Sequence, residues 1–233
     1  MARLRSSPRP ILCAVRDGEA LGRDPQGRAA LLFEAGVDWI QLRDRKCESA
    51  ELMRIGSALV AARDATRRGA TDSSARVIVN KRADVALATG ADGVHLGIDA
   101  LDARSVEALF GAVRGPGALV LGASLHSIAE LEDLVANRGP IHYAHLAPIW
   151  PPKSKPAERL ELGLERLAQA AGLAERSGLK LLAQGGLDAP RAAQTVAAGA
   201  AGIAVTGVLG QTRGLASAVR ALRRALDGAG GTQ

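Results

Sequence analysis

The chain has 233 residues, which fits one domain of (β/α)8-barrel size rather than two domains. Aromatic residues make up only 2% of it, which argues against the stacking platforms of single-strand nucleic-acid binders. The net charge of +6 comes without any block of five like charges, so a dedicated nucleic-acid arm is not expected, and no apolar run approaches a membrane span.

The positive charge has two readings: arginines spread over solvated helix faces, or a field that favours small anions. Cys13 and Cys47 form no CxxC, and two thiols define no disulfide framework, so a reduced cytoplasm fits. Met1 to Pro10 is basic but lacks a following apolar core, so no export signal is read there.

Short apolar runs alternate with longer helical patterns. The strand candidates are Ile11–Val15, Trp39–Leu42, Val77–Asn80, Gly93–Leu96, Val120–Ser124, Tyr143–Ala147, Lys180–Gln184 and Gly202–Val205. Asp24-Pro25 pairs an N-cap with proline at the first helical position and opens Gln26–Ala35. Ser49 opens a helix reaching about Arg68. Ser127 and Glu130 make a capping box ahead of Leu131, Leu134 and Val135. Asp188, Ala189 and Pro190 open a helix to Ala198, and Leu215–Leu226 forms the last one. The expected organisation is a basic extension over 1–9, one barrel over 10–226 and a flexible tail over 227–233.

Such alternation implies parallel strands joined by right-handed crossovers. A closed single (β/α)8 TIM barrel of the α/β class leaves no sheet edge; an open doubly wound sheet is the competitor. An internal repeat favours closure: Gly36-Val37-Asp38-Trp39-Ile40-Gln41-Leu42-Arg43 parallels Gly90-Ala91-Asp92-Gly93-Val94-His95-Leu96-Gly97 and Gly199-Ala200-Ala201-Gly202-Ile203-Ala204-Val205-Thr206. The stretch from Gly139 to Ala147 fits more loosely. Strand side chains alternate faces, and a barrel layer takes four from alternate strands. Gln41, His95, His145 and Ala204 then form one inward layer. Arg43, Gly97, Ala147 and Thr206 form the next, at the C-terminal mouth where active sites of this fold lie.

His142 and His145 are three apart on a strand and so face opposite ways, which excludes joint chelation of one ion. His95 and His145 read as a buried polar layer with Gln41, architecture more than catalysis. His126 follows the fifth strand on the mouth side, where an imidazole can take and give a proton or simply be a solvated loop residue. Gly185-Gly186 and Thr206-Gly207 follow strands seven and eight, whose loops often bind phosphate in barrels through bare backbone N–H groups. The run Pro148-Ile149-Trp150-Pro151-Pro152-Lys153-Ser154-Lys155-Pro156 is either a basic lid or a surface loop. Arg43, Arg45, Lys46, Lys81 and Arg82 make the mouth cationic, which suits an anionic ligand.

Six segments complete the picture: Gln41-Leu42-Arg43-Asp44-Arg45, Val79-Asn80-Lys81-Arg82-Ala83-Asp84, Gly90 to Gly97, Ser124-Leu125-His126-Ser127, Pro148-Ile149-Trp150-Pro151 with Ser154-Lys155, and Gln184-Gly185-Gly186-Leu187. Their ordered set resembles the thiamine phosphate synthase/TenI family and spans strands two to eight. Synthase members of that family join a pyrimidine diphosphate to a thiazole phosphate using Mg²⁺. The resemblance assigns pyrimidine and diphosphate contacts to Gln41, Arg43, Arg45, Asn80, Ser124, Ser154 and Lys155, with Arg45 where a lysine is usual. It places the thiazole phosphate on Gly185, Gly186, Thr206 and Gly207.

The resemblance also locates two Mg²⁺ carboxylates, and here those positions hold Lys81 and Ala100. An ammonium repels the ion; Asp99 and Asp84 are the nearby substitutes. TenI-type members lack the metal site and use a histidine of the Ser-x-His-Ser segment, here His126, for a proton shift. The sequence alone therefore favours a TenI-like thiazole tautomerase with His126 as its catalytic residue and Arg43 and Lys155 neutralising substrate charge. That reading needs no metal and no cofactor. The alternatives are a divergent synthase using Mg²⁺ and a non-catalytic phosphate-ligand binder or regulator. The expected partner is a small phosphorylated heterocycle, with no nucleic acid and no membrane, in the cytoplasm; a homo-oligomer is compatible with the sequence.

Overall fold

The computed structural model describes residues 9–69, 74–97, 101–117, 119–137, 139–151, 160–210 and 214–230. Eight parallel strands close into a barrel in sequence order, which decides against the open sheet. The first half runs β1 (Ile11–Arg16), α1 (Gly18–Leu21), α2 (Pro25–Glu34), β2 (Trp39–Leu42), α3 (Ser49–Arg68), β3 (Arg76–Asn80), α4 (Ala83–Thr89) and β4 (Gly93–Leu96). The second runs α5 (Ala103–Arg114), β5 (Val120–Leu125), α6 (Ile128–Ala136), β6 (Tyr143–Leu146), α7 (Gly163–Arg176), β7 (Lys180–Gln184), α8 (Ala189–Ala197), β8 (Gly202–Val205), a 3-10 turn (Gly207–Leu209) and α9 (Leu215–Gly230). Helix α9 continues past Leu226, so Asp227 to Gly230 are helical rather than tail. Arg9, from the expected extension, ion-pairs with Asp38 at 2.6 Å.

Helix starts follow their caps. Asp24 and Asp188 accept the N–H groups of Gly27 and Arg191, each ahead of a proline in the first turn. The Ser127 hydroxyl accepts from the Glu130 N–H at 3.1 Å. The return bond differs from a capping box, because the Glu130 carboxylate accepts the N–H of His126, at 2.7 Å, instead of that of Ser127. The swap ties His126 to the start of α6.

Register fixes the interior. Gln41 pairs with Ile78 and Ile78 with Gly93, so the residue level with Gln41 two strands on is His95. The same two-residue slip leads from His95 to His145, to Ala204 and back to Gln41. The circuit closes with the stagger of eight that this barrel requires. Gln41, His95, His145 and Ala204 therefore form the expected layer, and all are buried. Below them Cys13, Ile78 and Leu182 share a layer with Gly122; lower still, Trp39 and Tyr143 meet edge to face at 5.0 Å. A Cβ on Gly122 would sit 2.1 Å from the Tyr143 ring, so glycine there makes room for the largest fully buried side chain.

The internal repeat has a physical task at the N-terminal end of the strands. Asp38 accepts the Leu12 N–H at 2.8 Å and pairs with Arg223 at 3.0 Å. Asp92 accepts the Val77 N–H at 2.8 Å and pairs with Arg63 and Arg67, both at 2.7 Å. In β6 the matching residue is His142, whose Nδ1 accepts the Leu121 N–H at 3.1 Å. Each side chain stitches an even strand to the odd strand before it and anchors an outer helix where an arginine is supplied. His142 is thus structural, and it faces away from the barrel interior that holds His145.

Candidate active site

The C-terminal mouth holds two adjoining compartments. The larger, about 1210 Å³, is lined among others by Gln41, Arg43, Arg45, Asn80, Ser124 and His126. The smaller, about 340 Å³, is lined by Gly185, Gly186, Thr206 and Gly207. Gln184 borders both. Every sequence-expected site residue among the described ones is therefore at the mouth, sorted into the two expected groups. Ser154 and Lys155 lie outside the described residues, as do Asp99 and Ala100.

The floor of the large compartment is the polar layer, but it is not bonded within itself. The Gln41 Nε2 donates upward to Asn80 Oδ1 at 3.2 Å. His95 spans two levels: Nδ1 meets the Tyr143 hydroxyl at 3.0 Å and Nε2 meets the Ser124 hydroxyl at 2.8 Å. His145 stacks on His95 at 4.3 Å between ring centroids and hydrogen-bonds Gln184. Burial, and for His95 also the neighbouring His145 and Arg43, pushes both imidazoles down, that of His145 to about 3. Both rings are neutral at physiological pH. The layering argument found these histidines but read them as architecture; in the fold they line the same cavity as the expected contact residues.

His126 is exposed on the rim. Its Nδ1 lies 2.8 Å from the Ala147 carbonyl oxygen. A carbonyl only accepts, so Nδ1 carries the hydrogen and Nε2 is left as a base. Two bonds thus fix the residue, one through its backbone N–H to Glu130 and one through its ring.

Arg43 projects from the mouth end of β2. Burial and the like charge of Arg45 lower its basicity against the pull of Asp17. Asp44 does not neutralise it by direct contact: its carboxylate accepts the N–H groups of Gly18, Lys46 and Cys47 at 2.9–3.0 Å. Burial opposes ionisation of Asp44, but these donors prevail and hold its carboxyl below the usual range. The acid therefore organises the loop.

In the small compartment Gly185 and Gly186 have φ of +99° and +62°. A Cβ on Gly186 would lie 2.6 Å from the Pro151 oxygen, and one on Gly185 would lie 2.9 Å from Pro148. These glycines admit the start of the loop after β6. The start of that loop, Ala147 to Pro151, is held in place: the Ile149 N–H donates to the Gln184 oxygen at 2.9 Å, and Arg191 sits over the Trp150 ring while donating to the Gly186 oxygen at 2.6 Å. Gly207 is different, because an added Cβ meets nothing within 4 Å. It opens onto the cavity. Buried Arg16 donates to the Gly210 oxygen at 2.9 Å and holds the end of this turn.

A magnesium ion does not fit the described residues. Lys81 stands where the resemblance asks for a carboxylate. Asp84 is engaged by Arg82 at both oxygens, at 2.9 and 2.6 Å. Asp102 accepts from the N–H groups of Arg104 and Ser105 as the cap of α5. Mg²⁺ bound through protein carboxylates needs free oxygen ligands; Asp84 offers none, and among the described residues no group of three His, Cys, Asp or Glu side chains is placed to hold a metal ion.

These features define a (β/α)8 barrel whose C-terminal mouth pairs a cationic, polar-floored cavity with a glycine-lined recess. The thiamine monophosphate synthase family model matches residues 12–209, and the chain belongs to that family, which places it in thiamine biosynthesis. It is 35% identical over 219 residues to a thiamine-phosphate synthase of Chlorobium luteolum, covering 94% of each chain. It is 35% identical over 202 residues to one of Methanoculleus marisnigri, covering 87% of this chain and 88% of that one. In fold it is similar to a thiamine phosphate pyrophosphorylase from Pyrococcus furiosus, with a TM-score of 0.76 at 22% identity over 95% of this chain and 98% of that one. Among the described residues no helix is long and apolar enough to cross a membrane.

Proposed function

We propose that this chain is a transferase that joins a pyrimidine carried on a diphosphate to a thiazole phosphate, and not the single-substrate tautomerase that the sequence alone favoured. The observation that carries this reading is the divided mouth, with compartments of about 1210 and 340 Å³ meeting at Gln184. Coupling requires two substrates held edge to edge, and such positioning is itself a large part of catalysis. The names of the relatives at 35% identity support the same activity. The bond from the thiazole nitrogen to the pyrimidine methylene carbon forms as the carbon–oxygen bond to diphosphate breaks. Gly185, Gly186, Thr206 and Gly207 hold the phosphate of the acceptor. Arg43 and Arg45 meet the charge of the leaving diphosphate, with Ser154 and Lys155 as further contacts implied by the resemblance. No step is routed through a divalent ion, since the described carboxylates do not fit one.

A second reading, the tautomerase, is favoured by one feature: His126 with its Nε2 left basic at the rim. The test is product analysis by chromatography with both phosphorylated precursors, with Mg²⁺ and with a chelator. The proposed transferase releases diphosphate and forms the coupled product. Absence of coupling under either condition, with isomerisation of a thiazole carboxylate phosphate that His126→Ala abolishes, would overturn it in favour of the second reading.

A further inference from the structure

This inference rests on the proposed transfer reaction and concerns the residue behind the wall of the small compartment. The described residues lining that compartment include no lysine, arginine or histidine, and their one acid, Asp188, caps α8. Such a recess meets an anion through backbone N–H groups alone, unless a cation stands behind them. Arg16 stands there. It ends β1 with the outward parity of Leu12 and Ala14, away from the interior that holds Cys13 and Val15, and is only 3% exposed. One guanidinium nitrogen donates to the Gly210 oxygen at 2.9 Å and to the Ala20 oxygen at 3.3 Å, so it ties the turn after β8 to α1. The Gly210 N–H in turn donates to the Gly207 oxygen at 3.2 Å, and Gly207 lines the compartment. Two hydrogen bonds thus link the guanidinium to the wall of the recess.

The charge of Arg16 is not spent inside the protein. Among the described residues its side chain bonds only carbonyl oxygens, and its Nε is buried with no partner. Asp17, the next residue, is exposed and turns its carboxylate to the Ala20 N–H at 2.8 Å. A buried guanidinium stays charged and is ordinarily paired. A neutral donor would anchor the turn as well, so a cation at this place is explained by an anion in front of the turn. We propose that Arg16 is a positioning residue for the phosphate of the acceptor substrate: from behind the turn it fixes the Gly207 segment and lends the recess positive charge. It does not touch the ligand and takes no part in the bond exchange.

The test is calorimetric titration of the wild type, Arg16→Gln and Arg16→Lys with 2-(thiazol-5-yl)ethyl phosphate and with the corresponding alcohol. The wild type is expected to prefer the phosphate. Arg16→Gln, which keeps a donor for Gly210 but no charge, is expected to weaken the phosphate about tenfold and to leave the alcohol unchanged. Arg16→Lys, which keeps the charge, is expected to restore the phosphate to within about threefold of the wild type. An equal loss for the two probes makes Arg16 a structural anchor only and overturns the inference, as does undiminished phosphate affinity in folded Arg16→Gln or a lysine variant as weak as the glutamine one. Should Arg16→Gln fail to fold, Arg16→Thr, β-branched and suited to a strand end, is read on the same criteria. A wild type that binds the phosphate no better than the alcohol removes the reading of the small compartment along with the inference.

Discussion

The two buried histidines make the fold acid-sensitive by a calculable amount. An unfolded imidazole takes a proton at about pH 6.5. Burial, and for His95 the adjacent His145 and Arg43, holds the folded rings far lower, His145 at about 3. A folded value below the unfolded one means that the unfolded chain binds protons first as pH falls. Above about pH 6.5 there is no penalty; below it each ring costs about 1.4 kcal/mol of stability per pH unit. Between about pH 7.5 and 5 that integrates to about 2 kcal/mol for His145, and His95, lowered in the same direction, adds to it. The assay is urea unfolding at both pH values for the wild type and for the double variant His95→Gln/His145→Gln. The wild type should lose about 2 kcal/mol or more beyond the loss of the double variant on acidification. An equal loss in the two proteins would refute the argument, because the titrating groups would then lie elsewhere.

Asp38→Ala removes the acceptor of Leu12 and one of the two carboxylates paired with buried Arg223, leaving Asp227, so a loss of about 1–3 kcal/mol is expected in urea unfolding at neutral pH. Gly122→Ala drives a methyl into the Tyr143 ring and through it disturbs the His95 bond; thermal melts should report a loss of about 1–3 kcal/mol. Arg43→Gln should raise KM for a diphosphate substrate more than for a monophosphate, by about tenfold, and should flatten the dependence of KM on salt in steady-state assays.

The barrel was legible because its signals are local and repeated. Apolar runs of four to six residues, Asp-capped helices and the Gly-x-Asp repeat each act over a few residues, and Trp39–Leu42, Gly93–Leu96, Lys180–Gln184 and Gly202–Val205 appear as the sequence predicts. The layer of Gln41, His95, His145 and Ala204 was legible because strand parity alone sets it. What parity cannot tell is where hydrogen bonds go once side chains meet. The layer was expected to bond within itself, yet His95 bonds up to Ser124 and down to Tyr143, and Gln41 bonds Asn80. Ser124 and Asn80 come from odd strands half a level above, and Tyr143 comes from the next layer of even strands below, relations that the tilt of the closed barrel creates and no single segment contains. Arg16 was invisible for a related reason: its acceptor at Gly210 is supplied by the turn after the strand that closes the ring.

The repeat also explains why stability and chemistry separate to opposite ends of the strands. Strands β2, β4, β6 and β8 begin from matched positions: Asp38, Asp92, His142 and Ala201. At three of these a side-chain acceptor takes the N–H of the preceding odd strand. At the mouth the matched positions are Arg43, Gly97, Ala147 and Thr206, and they share no chemistry. Arg43 faces the large compartment, the Ala147 carbonyl fixes His126, and Thr206 borders the small one. A fold assembled from similar units must meet the same backbone demand at the base of each, which keeps the base alike. Nothing makes that demand at the top, where each unit ends in a loop, so the four ends are free to differ and to shape two unlike compartments and the seat of an imidazole.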